Sequence, residues 1–307
     1  MSAPRIAVLP RPKAVFTEAI EAGGGTVVDV DEAEALLWLS YGRTDELAAV
    51  LAEHPDLRWV QLPWAGVDVF APVLRGSRRE GLRWTSAKGA YAEPVAEHAL
   101  ALTLALLRSL PERARADSWG AKRARTLHRA KVVIVGAGGI AVELLRLLSV
   151  FDAQVTVVRR SAVAVPGAQR TVTAEQLPDA VADADVLVLA AAATDGTARL
   201  VDAALLRRLP AEAVLVNVAR GSLVDTDALV AALAEGRLAG AALDVTDPEP
   251  LPDGHPLWRE PRCLITPHSA DTPEMTTPLL AERVRANVAA FAAGRDLLGV
   301  VDPELGY

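Results

Sequence analysis

Short apolar runs alternate with longer amphipathic ones along most of the chain. Before residue 95, the runs Arg5–Leu9, Thr26–Val30, Ala35–Leu39, Arg58–Leu62 and Leu82–Thr85 have the length and apolar content of strands. Between them Thr44–Ala52 has helical spacing and begins at a Thr-Asp pair suited to a cap. From Lys131 the alternation becomes regular, with strands predicted over 131–135, 154–158, 185–189, 213–218, 239–244 and 263–266. Helices are clearest at Ile140–Val150, Asp202–Leu209 and Thr226–Glu235. Pro94–Leu107 reads as a buried helix entered through proline, and Pro273–Ala293 as a closing one. Strands that alternate with helices form parallel sheets with right-handed crossovers. The predicted class is α/β, with two doubly wound parallel-sheet domains, the second a Rossmann dinucleotide-binding domain.

Charge changes this picture at one place. Residues 108–131 carry Arg108, Arg113, Arg115, Lys122, Arg123, Arg125, Arg129 and Lys131 against Glu112 and Asp117. The segment reads as a solvated boundary between units, with a phosphate-binding patch as the other reading.

The Lys131–Val135 strand runs into Gly136, Gly138 and Gly139, and an apolar-faced helix follows from Ile140. A strand that turns through glycines into a helix leaves unpaired N–H groups, which together with the helix dipole favour a pyrophosphate. The pattern is G-x-G-x-x-A, with Ala141 in the small-residue place. A glycine-rich turn also occurs without a ligand, so neighbouring chemistry decides. Arg159 and Arg160 end the next strand, where NAD-binding chains usually carry an acidic residue for the ribose hydroxyls. Guanidinium groups suit a 2′-phosphate instead, so NADP(H) is the preferred cofactor and NAD(H) a possible one.

Further chemistry lies past other predicted strand ends. Trp64, Ala65, Gly66 and Val67 belong to the run LPWAGVD, where backbone N–H groups could hold a small anion beside the indole. Arg220 follows a buried strand in NVARGSLVD, Glu249 sits between prolines in DPEPL, and His268 closes ITPH. Each has a structural reading by itself. Together they lie on the edge of the sheet that carries the glycine turn, where open α/β sheets bind ligands.

This ordered set resembles the D-isomer-specific 2-hydroxyacid dehydrogenases. The similar pieces are VGAGGIA, NVARGSLVD, GAALDV, DPEPLP, HPLW, ITPH and AEHALALTLALLR, spread from about Val60 to the end. The resemblance implies an NAD(P)-dependent enzyme that reduces a small 2-keto acid, such as glyoxylate or hydroxypyruvate, to the D-2-hydroxy acid. In it His268 is the acid that protonates the carbonyl oxygen, a task suited to a group that exchanges protons near neutral pH. Glu249 holds the imidazole, and Arg220 binds the substrate carboxylate and polarises the carbonyl. The amides around Ala65, Gly66 and Val67 bind the same carboxylate, and Trp64 modifies the pocket. Asp244 anchors the nicotinamide carboxamide, and Val218 and Ala219 join Ile140 and the glycines in cofactor binding.

The resemblance also implies a substrate domain over 1–95, completed by the C-terminal segment 271–307, and a dinucleotide-binding domain over 96–270. The catalytic cleft lies between them, and residues 96–125 form a homodimer contact. Two other readings stay open: a corepressor-like dinucleotide sensor, and an NAD-dependent dehydrogenase for a phosphorylated hydroxy acid. The chain departs from the family at Ala192-Ala193-Thr194, where Pro-Leu-Thr is common.

Composition sets the outer bounds. The net charge of −7 gives no general reason to bind nucleic acid or acidic membranes. The single Cys263 excludes an internal disulfide and fits a reducing, cytoplasmic setting. MSAPRIAVLP has no signal-peptide layout, and the apolar run at Ala99–Leu107 is far short of the ~20 residues of a membrane helix. No HExxH, CxxC, Walker loop or G-x-S-x-G elbow occurs, so no metal site is predicted.

Overall fold

A computed structural model describes residues 3–304. The chain divides into two compact units, one of residues up to Tyr91 together with those from Thr272, the other Ala92–Asp271.

The first unit holds β1 (Arg5–Leu9), β2 (Thr26–Val27), β3 (Ala35–Trp38), β4 (Trp59–Gln61) and β5 (Arg83–Thr85). They form one parallel sheet in the order β2-β1-β3-β4-β5. The order reverses between β1 and β3, so the ligand edge of this doubly wound sheet lies past their C-terminal ends. Strand β3 is buried along its whole length, which suits a run with no polar position.

The predicted strand Thr26–Val30 is cut short. After Val27 the acidic residues Asp29, Asp31 and Glu32 take the chain into a short 3₁₀ turn at Val30–Glu32. The predicted cap at Thr44 is also corrected. Arg43 holds the N-cap position without a side-chain cap bond, and the helix Thr44–Glu53 instead carries Asp45 and Glu46 in its first turn, where the helix dipole favours negative charge.

A buried polar cluster ties β4 to the helix Pro273–Ala292. Gln61 Oε1 accepts from Thr85 Oγ1 at 2.8 Å and from Asn287 Nδ2 at 3.0 Å. Asn287 also donates to the Leu298 carbonyl and accepts from its amide. With Asn287 and Thr85 at 0% exposure, this satisfied network fixes the strand end from which Leu62 departs.

The second unit holds β6 (Lys131–Val135), β7 (Gln154–Val158), β8 (Arg170–Val172), β9 (Val186–Leu189), β10 (Val214–Asn217), β11 (Gly240–Leu243) and β12 (Cys263–Ile265). Their order is β12-β11-β10-β9-β6-β7-β8, all parallel. Read from β6, this is the Rossmann order with one further strand, and its switch point lies between β6 and β9. Six strands are predicted here and seven are found. The missed β8 is three residues long at the sheet edge, too short for a period to show. No helix among the described residues is long and apolar enough to cross a membrane.

Candidate active site

The glycine turn sits at the switch point. Gly136 has φ +114, and a Cβ there would overlap the carbonyl of Ala190, just past β9. Glycine is required because two strand-end loops touch backbone to backbone. Gly138 caps the helix Gly139–Leu148, and a Cβ on it would meet nothing within 4 Å. The amides of Gly138, Gly139 and Ile140 find no acceptor among the described residues. Open space faced by unpaired donors at a helix N-terminus fits a dinucleotide pyrophosphate. Beyond β7, the Arg159 amide pairs with the Val172 carbonyl and its guanidinium rests 3.3 Å from the Val163 carbonyl. Arg160 is exposed beside it.

At the end of β10 the chain turns tightly. Asn217 accepts from the Ala219 amide at 3.0 Å and donates to the Arg220 carbonyl at 2.9 Å. Val218 and Ala219 lie buried inside this turn. Arg220 is half-buried, and its guanidinium also donates to the Ala219 carbonyl. A Cβ at Gly221 would overlap the Thr246 carbonyl, so the Arg-Gly pair is pressed onto the loop that carries Glu249. That loop is pinned by Thr226 Oγ1 on the Asp247 carbonyl and Thr246 Oγ1 on the Pro248 carbonyl.

His268 and Glu249 meet. Nδ1 of the imidazole lies 2.7 Å from Glu249 Oε1, and both side chains are two-fifths exposed. An ionised carboxylate only accepts, so the Nδ1 proton points at Glu249, and Nε2 makes no hydrogen bond among the described residues. His268 has φ +48, uncommon for a residue with a Cβ. Two bonds from its amide, to the carbonyls of Asp244 and Thr266, hold that conformation.

Asp244 organises this turn. Its side chain is 1% exposed and accepts from Thr266 Oγ1 at 2.6 Å and from the amides of Ser269 at 2.9 Å and Ala270 at 3.1 Å. His98, from the helix Ala92–Leu107, brings Nε2 to 3.3 Å from Asp244 and 3.0 Å from Thr266 Oγ1. Because the Thr266 hydroxyl proton goes to Asp244, His98 Nε2 is the donor. Burial pushes the Asp244 carboxyl up, but the bonds from His98, Thr266, Ser269 and Ala270 outweigh it and hold it below the usual aspartate value. Nearby Asp271 goes the other way. Burial raises it, Asp244 adds to the rise, and His268 and Arg220 offset only part. Sequence reading missed His98, Thr266 and Asp271. His98 lies in an apolar helix with no signal beyond its own ring, and its partners are more than 140 residues away.

In the other unit, the loop after β4 has its carbonyls tied and its amides free. Tyr91 Oη donates to the Pro63 carbonyl at 2.6 Å, and the Ala87 amide donates to the Trp64 carbonyl at 3.0 Å. Ser86 Oγ lies 3.5 Å from the Ala65 carbonyl. The amides of Ala65, Gly66 and Val67 have no acceptor among the described residues. N–H groups left over beside tied carbonyls are donors of the kind that can hold an anion. Among the described residues no cluster could hold a metal ion.

Comparison with known proteins follows the same lines. Residues 100–270 match the D-isomer specific 2-hydroxyacid dehydrogenase, NAD binding domain. A glyoxylate reductase of Aeropyrum pernix is 31% identical over 286 residues, covering 89% of this chain and 84% of that protein. The chain belongs to the D-isomer specific 2-hydroxyacid dehydrogenase family. It is an NAD(P)-dependent oxidoreductase, and its two parallel sheets are those of the family. A dehydrogenase of the same family from Xanthobacter autotrophicus Py2, solved with NADPH and MES, superposes with a TM-score of 0.86 over 100% of both chains at 28% identity. A Corynebacterium melassecola protein encoded in the proB 3′ region is 40% identical over 95% of this chain and 96% of its own length.

Proposed function

We propose that this dehydrogenase reduces a small 2-keto acid to the D-2-hydroxy acid with NADPH. When bound, the nicotinamide supplies the hydride that reaches the keto carbon. His268 gives the proton from Nε2 to the carbonyl oxygen as negative charge builds there. Glu249 keeps Nδ1 protonated and the ring oriented, and solvent reloads the exposed imidazole. Arg220 binds the substrate carboxylate and draws charge from the carbonyl. The amides of Ala65, Gly66 and Val67 hold the same carboxylate. Gly136, Gly138, Gly139 and Ile140 receive the pyrophosphate, with Val218 and Ala219 alongside.

Asp244 is assigned to the nicotinamide carboxamide through Oδ2, which accepts one bond against three contacts at Oδ1. Arg159 and Arg160 are assigned to the 2′-phosphate, supported by their position past β7 and the lack of a carboxylate in Val157–Ser161. The homodimer contact is assigned to residues 96–125, supported by Trp119 at 91% exposure and Leu110 at 54%. A cytoplasmic setting accords with the single, buried, unpaired Cys263.

The observation that carries the proposal is the 2.7 Å His268–Glu249 pair, on the sheet edge that also bears the glycine turn and Arg220. The test is oxidation of NADPH and of NADH with glyoxylate, hydroxypyruvate and phosphohydroxypyruvate. Turnover of an unphosphorylated acid, faster with NADPH, is expected. Turnover confined to NADH and the phosphorylated acid contradicts the proposal, and so does turnover of none.

A further inference from the structure

Two aromatic side chains of the first unit lie past the ends of β3 and β4, and the proposed function gives neither ring a part in the chemistry. Tyr41 lies three residues past the end of β3 and Trp64 three residues past the end of β4, on adjacent parallel strands. Their rings meet edge to face, with centroids 5.9 Å apart and planes at 89°. Tyr41 also lies edge-on to the fully buried Phe70, at 6.2 Å and 86°. Phe70 thus seats Tyr41, and Tyr41 seats the indole. The cluster is not closed over: Tyr41 is 45% exposed and Trp64 half-buried.

Ring surface left in water at the ligand edge of a sheet forgoes hydrophobic stabilisation that a ligand can recover. The ligand must bring apolar area to do so. Glyoxylate carries only a hydrogen beyond its carbonyl, and hydroxypyruvate carries a hydroxyl that an indole face cannot match with a hydrogen bond. A carboxylate held by the Ala65–Val67 amides has Trp64 as the immediate chain neighbour, which puts the ring pair within reach of a substituent on the adjoining keto carbon.

We infer that Trp64, seated by Tyr41, is the specificity-determining residue and selects 2-keto acids with an apolar C3 substituent over glyoxylate. The inference rests on the assignment of the Ala65–Val67 amides to the substrate carboxylate.

The experiment is a kcat/KM series with NADPH on glyoxylate, hydroxypyruvate, pyruvate, 4-methyl-2-oxopentanoate and phenylpyruvate. Each methylene buried on the rings is worth about fourfold, so the last two should exceed glyoxylate by at least about tenfold. Trp64→Ala should remove that advantage, bringing phenylpyruvate and glyoxylate to within about threefold of each other. Tyr41→Phe should keep the advantage and Tyr41→Ala should lose part of it. The wild-type series needs no variant to fold, and Tyr41 is exposed enough for its substitutions to be carried. Glyoxylate preferred by the wild-type enzyme overturns the inference and leaves the reductase assignment standing. Trp64→Ala raising activity on phenylpyruvate does the same, because the ring then acts as a barrier. Turnover of none of the five acids overturns both.

Discussion

The two ligand edges of this molecule are built from different materials. Past β4 the binding groups are backbone amides, exposed because the neighbouring carbonyls are held by Tyr91, Ala87 and Ser86. Past β10, β11 and β12 they are side chains with distinct chemistry: Arg220, Asp244, Glu249 and His268. Main-chain donors recognise an anion but cannot exchange a proton or titrate. An imidazole paired to a carboxylate can. On the proposed function the first edge holds and selects the substrate, and the second converts it.

Substitutions can break this division of labour. The largest effect is expected from His268→Gln, which removes the proposed proton donor and should lower kcat by about 10²- to 10⁴-fold. NADPH affinity, followed by fluorescence titration, should stay nearly unchanged. A loss within about tenfold would take the acid role from His268.

Asp244→Ala comes next. It leaves the Thr266 hydroxyl and two amides without their acceptor, which should cost about 3 kcal/mol in denaturant unfolding. The same carboxylate sets an acid limit. Its value is lower in the folded chain than in the unfolded one, so its stabilisation is complete above about pH 4 and fades as pH falls through the folded value. Melting temperatures of wild type and variant should therefore differ most near neutrality and converge on acidification. A constant gap across that range contradicts the assignment.

Arg159→Asp should move the NADPH/NADH ratio of kcat/KM toward NADH by about tenfold or more. An unchanged ratio takes Arg159 out of the 2′-phosphate site. The smallest effect sharpens the contrast at the other edge. Tyr91→Phe loosens the Pro63 carbonyl and should raise KM for the keto acid about fivefold with kcat held. A fall in kcat with KM fixed would mean that this loop takes part in the chemistry itself.

The same contrast explains how much was legible in the sequence. Side-chain chemistry announces itself: Arg220, Glu249 and His268 are readable because arginine, a proline-flanked glutamate and a strand-end histidine recur in a recognisable order. The glycine turn is readable because Gly136 must be glycine where two backbones touch. The amide site past β4 is carried by where carbonyls point, which LPWAGVD does not encode by residue type. Nor does the Asp244 network show in sequence. Its carboxylate accepts from Thr266, Ser269, Ala270 and His98, and only the folded sheet brings these donors together. The edge strand β8 is hidden for a simpler reason, since three residues are too few for a periodic pattern.

A crystal structure with NADPH and oxamate, an unreactive 2-keto acid analogue, tests the central claim most directly. The account predicts His268 Nε2 within about 2.6–3.2 Å of the analogue's C2 oxygen while Nδ1 keeps its bond to Glu249. An analogue bound at the nicotinamide with that oxygen more than about 5 Å from Nε2, beyond even one bridging water, would contradict it.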